Sequence, residues 1–307
     1  MSIVTIDDTN LTNIADAIRD KKGTNDTYKP SEMASAIQGI STKEDLSSEL
    51  TEQETLLNNQ VIKLSVAVNN LKNKASGGDT TIEDALLTDE LETYTNDRIT
   101  TVGPYALAGR KITSVSFPNA TTIGHRALYY CASLTEVNIP NVTTIGQDAF
   151  YNCTTLTSID LPKVTTLGSY SFYGNSKLAS VSAPLLTTIG GHSFRVCSSL
   201  EEARFPCVQS VGTYSFHNCK NVKLLDFNVV SKIEAVAFNS CSSLTTLILR
   251  KTDAICTLAN VSAFTSSGIA NGTGYVYVPD DLVETYKSAT NWSTYADQIK
   301  PLSELEG

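Results

Sequence analysis

The sequence is poor in the residue types that carry chemistry. In 307 residues it has three histidines, two methionines and one tryptophan. Glycine-rich phosphate loops of the form Gly-x-Gly-x-x-Gly or Gly-x4-Gly-Lys are missing, and so are calcium-loop and Cys-x2-Cys patterns. No cofactor and no metal is therefore expected. Clusters of Lys and Arg are also missing from a chain of net charge −9, which argues against nucleic acid and against adhesion to an anionic membrane. No run of apolar residues reaches the roughly 18 that a membrane helix needs, so no membrane insertion is expected. The first residues, Met1 to Asp8, lack a basic region followed by an apolar run, so a cleaved secretory leader of the ordinary kind is not expected either.

What the sequence has is repetition. From residue 100 to 249 a 22-residue phrase is written seven times, the first copy one residue short. Leu107, Leu128, Phe150, Phe172, Phe194, Phe216 and Phe238 share one phase. Leu134, Leu156, Leu178, Leu200, Val222 and Leu244 form a second ladder, and Val115, Val137, Ile159, Val181, Ala203, Leu225 and Leu247 a third. A fourth runs through Ile123, Ile145, Leu167, Ile189, Val211 and Ile233. Within each copy, Leu-Thr-x-Val-x-Leu-Pro alternates apolar and polar residues, which predicts a short half-buried strand ended by proline. The Ala/Ser-Phe segment predicts a helical turn. One unit cannot bury its own apolar side, but stacked units bury it against their neighbours. The fold class expected is an α/β repeat solenoid.

Copies with Ile-Gly-x-x-Ala-Phe-x-x-Cys followed by Leu-x-x-Ile-x-Leu-Pro resemble the BspA-like class of leucine-rich repeats over about half of the chain. Departures cluster late: Glu234 stands for the glycine, Asn228 for the proline and Asn175 for a cysteine. Five of the seven cysteines, Cys131, Cys153, Cys197, Cys219 and Cys241, lie on the 22-residue grid. A shared phase means a shared structural job, so these thiols are expected to form a buried ladder of small groups. Cys207 and Cys256 are off the grid, either bridged to one another or free.

The chain divides by pattern into five stretches. Residues 1–42 hold two short helical patterns, around Leu11, Ile14 and Ile18 and after Pro30. They resemble an amino-terminal module of tail-fibre and baseplate proteins from phages and prophages of Gram-positive bacteria, which implies a tail-attachment module; a helical hairpin that caps the next segment is the alternative. Residues 43–75 carry leucines every seven positions, Leu50, Leu57, Leu64 and Leu71, with Val61 and Val68 completing the seam of a parallel coiled coil. At about 1.5 Å per residue, this stalk would be roughly 42 Å long. A homo-oligomer is expected; the fibre resemblance favours a trimer, and a dimer also fits the seam. One long helix folded back on the solenoid is the competing reading. Residues 76–99 are a linker and amino-terminal cap, 100–252 the solenoid, and 253–307 a carboxy-terminal cap with a strand at Tyr275 to Val278, a helix from Asp280 to Ala289 and Trp292 packed inside.

Two stripes of non-ladder residues are candidate binding surfaces. The strand stripe carries Glu136, Asn138, Asp160, Glu202, Arg204 and Asp226 on outward positions. The turn stripe carries Arg126, Asp148, Tyr170, His192 and Tyr214, flanked by Tyr129, Tyr151, Tyr173, Arg195 and His217. Tyrosine, histidine and arginine bring large contact area and a polar tip at low entropy cost. Two of the strand-face carboxylates could imitate a glycosidase pair, but solvated strand faces normally carry such charges. His125, His192 and His217 fall in different repeat phases, so no shared ladder gathers them. The chain is expected not to be an enzyme. The function implied by the two resemblances is a phage or prophage tail-fibre or receptor-binding protein: it sits in the virion tail, is joined to a tail or baseplate protein by residues 1–42, and acts outside the cell on a bacterial surface glycan or protein. A bacterial cell-surface adhesin is the alternative, and a glycan-degrading enzyme a third.

Overall fold

A computed structural model describes residues 92–306. The module expected at 1–42, the stalk at 43–75 with its seam residues, and most of the 76–99 segment lie outside the described residues.

Residues 92–306 wind as a stacked series of rungs in which every strand pairing is parallel. Each rung contributes two strands. The two-residue strands, from Thr101–Val102 through Thr122–Ile123 to Thr257–Leu258, form one eight-stranded sheet in chain order. The longer strands form three successive sheets. The first holds Thr93–Thr95, Ser114–Ser116 and Glu136–Asn138, and the second Ser158–Asp160 and Ser180–Ser182. The third holds Glu202–Phe205, Leu224–Phe227, Thr246–Leu249, Tyr275–Val278 and Ile299–Pro301. The rungs therefore begin before residue 100 and run on past residue 252, because Thr93–Thr95 and the strands after 252 pair in register with their neighbours.

The register puts like residues on like. Val115 lies opposite Val137, Ile159 opposite Val181, and Leu225 between Ala203 and Leu247. The phenylalanine ladder is fully buried and stacked, with ring centroids 5.1 Å apart for Phe150–Phe172, 5.6 Å for Phe172–Phe194 and 5.3 Å for Phe194–Phe216. Each fully buried ring contributes about 1.5–3 kcal/mol relative to exposure. Phe264, outside the seven copies, continues the stack 5.4 Å from Phe238. Its far face is closed by Trp292 and Tyr295. Trp292 is buried as expected and donates its indole N–H to the Cys256 carbonyl at 2.7 Å. The Tyr286 hydroxyl accepts from the Cys256 amide, also at 2.7 Å.

The Ala/Ser-Phe segment differs from the expected helical turn. It is a run of tight turns punctuated by left-handed residues four positions apart, such as Arg126 and Tyr130, Asp148 and Asn152, or Tyr170 and Gly174. The cause is lateral hydrogen bonding. In the rung containing Phe150, the amides of Asp148, Phe150 and Asn152 donate to the carbonyls of Ser169, Ser171 and Tyr173 in the next rung, at 3.0, 2.8 and 2.8 Å. The amides between them, of Ala149 and Tyr151, donate back within the turn to Gly146 and Asp148. A continuous helix would keep all of these bonds inside one rung and leave none for its neighbour. Close approach also explains the glycine column: a Cβ on Gly168 would lie 2.5 Å from the Gln147 amide nitrogen.

The five grid cysteines are buried, and each thiol donates to a carbonyl of the preceding rung; Cys131 reaches Leu107 at 3.1 Å and Cys219 reaches Phe194 at 3.0 Å. Asn175, in the same column, instead accepts from the Cys153 amide at 2.8 Å. Cys207 and Cys256 are both free, so the bridge between them is not made.

Candidate functional site

The turns are joined to the short strands at one edge of the solenoid, and their left-handed residues form a straight column: Tyr105, Arg126, Asp148, Tyr170, His192, Tyr214 and Val236, all with φ between 53° and 61°. A bulky residue in that region is uncommon. The lateral bonds hold it there, and the column's side chains stand one above another at the spacing of the rungs.

This geometry gathers most of the turn stripe into two adjoining clusters. At the amino-terminal end, the Arg126 guanidinium donates to the Asp148 carboxylate at 3.0 Å and to the Tyr105 hydroxyl at 3.2 Å. It also lies 5.0 Å from the Tyr129 ring centroid. Asp148 is 4% exposed and Tyr129 8%, so neither is the open contact residue that the sequence pattern suggests. The carboxylate sinks here because the cation of the preceding rung is its partner, and the Tyr129 ring lies under that same guanidinium within its own rung. Burial, with the neighbouring Tyr130 next, pushes the Tyr129 phenol up to about 12.

From there an aromatic row runs along the face. Tyr129 stacks on Tyr151 and Tyr151 on Tyr173, with centroids 4.9 and 4.5 Å apart. Beside it, His192 is sandwiched between Tyr170 at 4.2 Å and Tyr214 at 4.8 Å. Arg195 lies between the rows, 5.6 Å from the Tyr173 centroid and 5.4 Å from that of Tyr214. His217 tilts against Tyr214 at 5.5 Å. Thus two histidines of different phases do come together, through Tyr214 and Arg195. Burial and then Arg195 lower both below their ordinary value near 6.5, with His217 adding to the effect on His192. His125 stands apart, its ring against Tyr105.

Tyr105 and Tyr130 join these clusters although neither lies on the 22-residue stripe. The first copy is one residue short, so stepping back by 22 from Arg126 lands on Pro104 instead of Tyr105. Tyr130 belongs to the second left-handed column and packs its ring on Tyr129 and Tyr151. The doubled tyrosine at 129 and 130 was its only mark in the sequence.

The strand stripe is less uniform. Glu136, Asn138, Asp160, Glu202 and Arg204 are exposed. Asp226 is 6% exposed and is a correction to the outward assignment. Arg204 donates to it at 3.2 Å and Arg250 at 3.0 Å, so it is a paired structural anion, withdrawn from any carboxylate pair of the glycosidase kind. An open hollow of about 430 Å³ next to it is lined by Gln209, Arg250 and Lys251 among others. Among the described residues no group of three or more His, Cys, Asp or Glu is placed to hold a metal ion, and no helix is long and apolar enough to cross a membrane.

Parallel rungs of 22 residues, with buried columns of leucine, valine and phenylalanine, define a leucine-rich repeat solenoid. Residues 100–223 and 165–278 match the BspA type leucine rich repeat region, together more than half of the chain, and the chain belongs to that family. Solved structures similar to it include a T. pallidum leucine-rich repeat protein, 24% identical with a TM-score of 0.48, over 52% of this chain and 79% of that one. A leucine-rich repeat protein from Bacteroides ovatus is 22% identical with a TM-score of 0.45, over 69% of this chain and 57% of that one. A leucine rich cell surface protein from Faecalibacterium prausnitzii is 18% identical with a TM-score of 0.36, over 55% and 62%. No curated protein matches the chain.

Proposed function

We propose that the chain is a surface-recognition protein whose solenoid binds a bacterial surface receptor, a glycan or a protein, through its turn face. The observation that carries this reading is the aromatic row. Tyr129, Tyr151 and Tyr173 in one stack, with Tyr170, His192 and Tyr214 in another beside it, line up along five consecutive rungs, and all but the buried Tyr129 present ring edges and polar tips. Their backbone is fixed by lateral hydrogen bonds, so little ordering entropy is lost when a ligand docks. Rings of this kind are the side chains that dominate binding energy at recognition surfaces.

The finer reading is a tail-fibre or receptor-binding protein of a phage or prophage of Gram-positive bacteria. It draws on the resemblance of residues 1–42 to tail-attachment modules and on the heptad of residues 43–75. A parallel trimer, or a dimer, would present two or three solenoids together, and linked sites raise avidity by about 10²–10⁴ without new contacts. The protein would then act outside the cell from a virion tail. Its test is to apply the labelled full chain to a panel of Gram-positive cells and to ask whether particles released from the producing strain contain it. Saturable binding together with presence in the particles supports the fibre reading. Binding with the chain found on the producing cell's own surface instead would make it an adhesin.

A further inference from the structure

Arginines on the two faces differ in how their charge is met. Arg126 is neutralised by Asp148, and Arg204 and Arg250 by Asp226. Arg195 has no carboxylate within ion-pair distance among the described residues. Its Nη1 meets the His192 Nδ1 at 3.3 Å, which a neutral imidazole accepts, and that is the guanidinium's one hydrogen bond among those residues. Its Nε is buried and lacks a hydrogen-bond partner, and the Nδ1 of His217 close by is in the same condition. A buried polar atom without a partner is costly; Ser171, Asn175 and Ser215 each hold one elsewhere in the turns, but only here do two belong to ionisable side chains set next to one another, which indicates a position made for an incoming group. The guanidinium is held rigid between the Tyr173 and Tyr214 rings, so its fork is oriented before any ligand arrives.

We propose that Arg195, set between Tyr173 and Tyr214 and flanked by His192 and His217, binds the anionic group of an acidic saccharide whose sugar rings lie on the neighbouring tyrosines. The chemistry assigns each part. The charge-assisted fork binds a carboxylate or phosphate, the two imidazoles add hydrogen-bond donors beside it, and the outward edges and hydroxyls of the stacked phenols meet the sugar rings. A cation with no counter-ion among the described residues, in a chain of net charge −9, also gives the otherwise acidic protein a local point of attraction for an anion. This inference rests on the turn face being the recognition surface and names the class of ligand that it takes.

The experiment titrates the full chain with oligogalacturonate, with the same oligomer as its neutral methyl ester, and with a phosphorylated dextran oligomer beside unmodified dextran. In parallel, the chain and its Tyr173→Ala variant are applied to cells. Preference for an acidic over a neutral oligomer by about tenfold, lost in Arg195→Gln and kept in the charge control Lys177→Gln, supports the assignment; the acidic oligomer that binds identifies carboxylate or phosphate. Arg195→Lys, which keeps the charge without the planar fork, is expected to recover part of the preference, and an unchanged thermal midpoint of Arg195→Gln separates lost binding from lost fold. Equal binding of acidic and neutral oligomers overturns the anion assignment and leaves the aromatic surface standing. So does the absence of all four from a protein that still binds cells through Tyr173. Failure to bind cells as well overturns the recognition reading itself.

Discussion

Arg126 and Asp148 sit at the same position of consecutive rungs and meet at 3.0 Å, with the carboxylate 6% exposed and the guanidinium 35%. The left-handed column makes this possible: two residues 22 apart in sequence share one φ region and project side by side. Asp148→Asn keeps the shape but removes the charge, and a hydrogen bond to a charged partner is worth about 1.5–3 kcal/mol when buried. The exposed side of the arginine places the loss at the lower end of that range. Chemical denaturation of the variant beside the wild type measures it; an unchanged midpoint would show the pair to be a surface contact.

Phe172 has a stacked ring above and below, at 5.1 and 5.6 Å. Phe172→Ala removes both contacts in a column that cannot collapse, because the lateral bonds fix the rung spacing. A cost of about 3–5 kcal/mol is expected. Phe172→Leu, which reproduces the residue found in this column at Leu107 and Leu128, is expected to cost far less. Thermal denaturation ranks the two, and equal losses would contradict a packing role.

The fold was largely legible because a repeat writes each structural job seven times, so the apolar ladders and the grid cysteines stand out by phase alone. What escaped was carried by contacts between rungs. The Ala/Ser-Phe segment has a local helical pattern, and only the amides of Asp148, Phe150 and Asn152 reaching the next rung show why it is broken into turns. Asp148 and Asp226 look solvent-facing in one copy because their arginine partners belong to another. After Thr246 the strands start at Tyr275 and Ile299, so the 22-residue step is lost while the pairing continues, and the boundary at residue 252 has no counterpart in the sheet. Of the candidate site, the residue types of the turn stripe were visible, but not that Arg195 lacks a carboxylate while Arg126 has one.

All seven cysteines are free, and Cys207 alone is not buried. Burial pushes the Cys131, Cys219 and Cys256 thiols up to about 12. At pH 8 it is the thiolate that attacks a disulfide reagent and displaces its leaving thiolate, so the folded chain is expected to react once, at Cys207, and the denatured chain seven times. Rapid reaction of several thiols in the folded chain would mean that the cysteine column is open to solvent.

His192 and His217 both have folded values below their ordinary 6.5, burial being the first cause and Arg195 the next. As pH falls, the unfolded chain binds these protons first, so the stability they contribute is present above about 6.5 and is lost as pH falls through the lowered folded values. The thermal midpoint is expected to decline between pH 7.5 and 5.5. The double variant His192→Phe, His217→Asn, which keeps a ring in the stack and uses the residue found at Asn239, should show a flatter profile. An equally steep profile would place the titration elsewhere.

The turn face, and not the strand face, is the surface proposed to meet the receptor. The measurement is saturable binding of the full chain to cells that it recognises, comparing Tyr151→Ala with Tyr173→Ala on one face and Asp160→Ala with Glu202→Ala on the other. Each tyrosine variant should lose about tenfold or more in affinity, as hot-spot truncations do, while the carboxylate variants stay within about twofold. Binding that survives loss of both tyrosines and falls with Asp160 or Glu202 would move the receptor site to the strands and contradict the account.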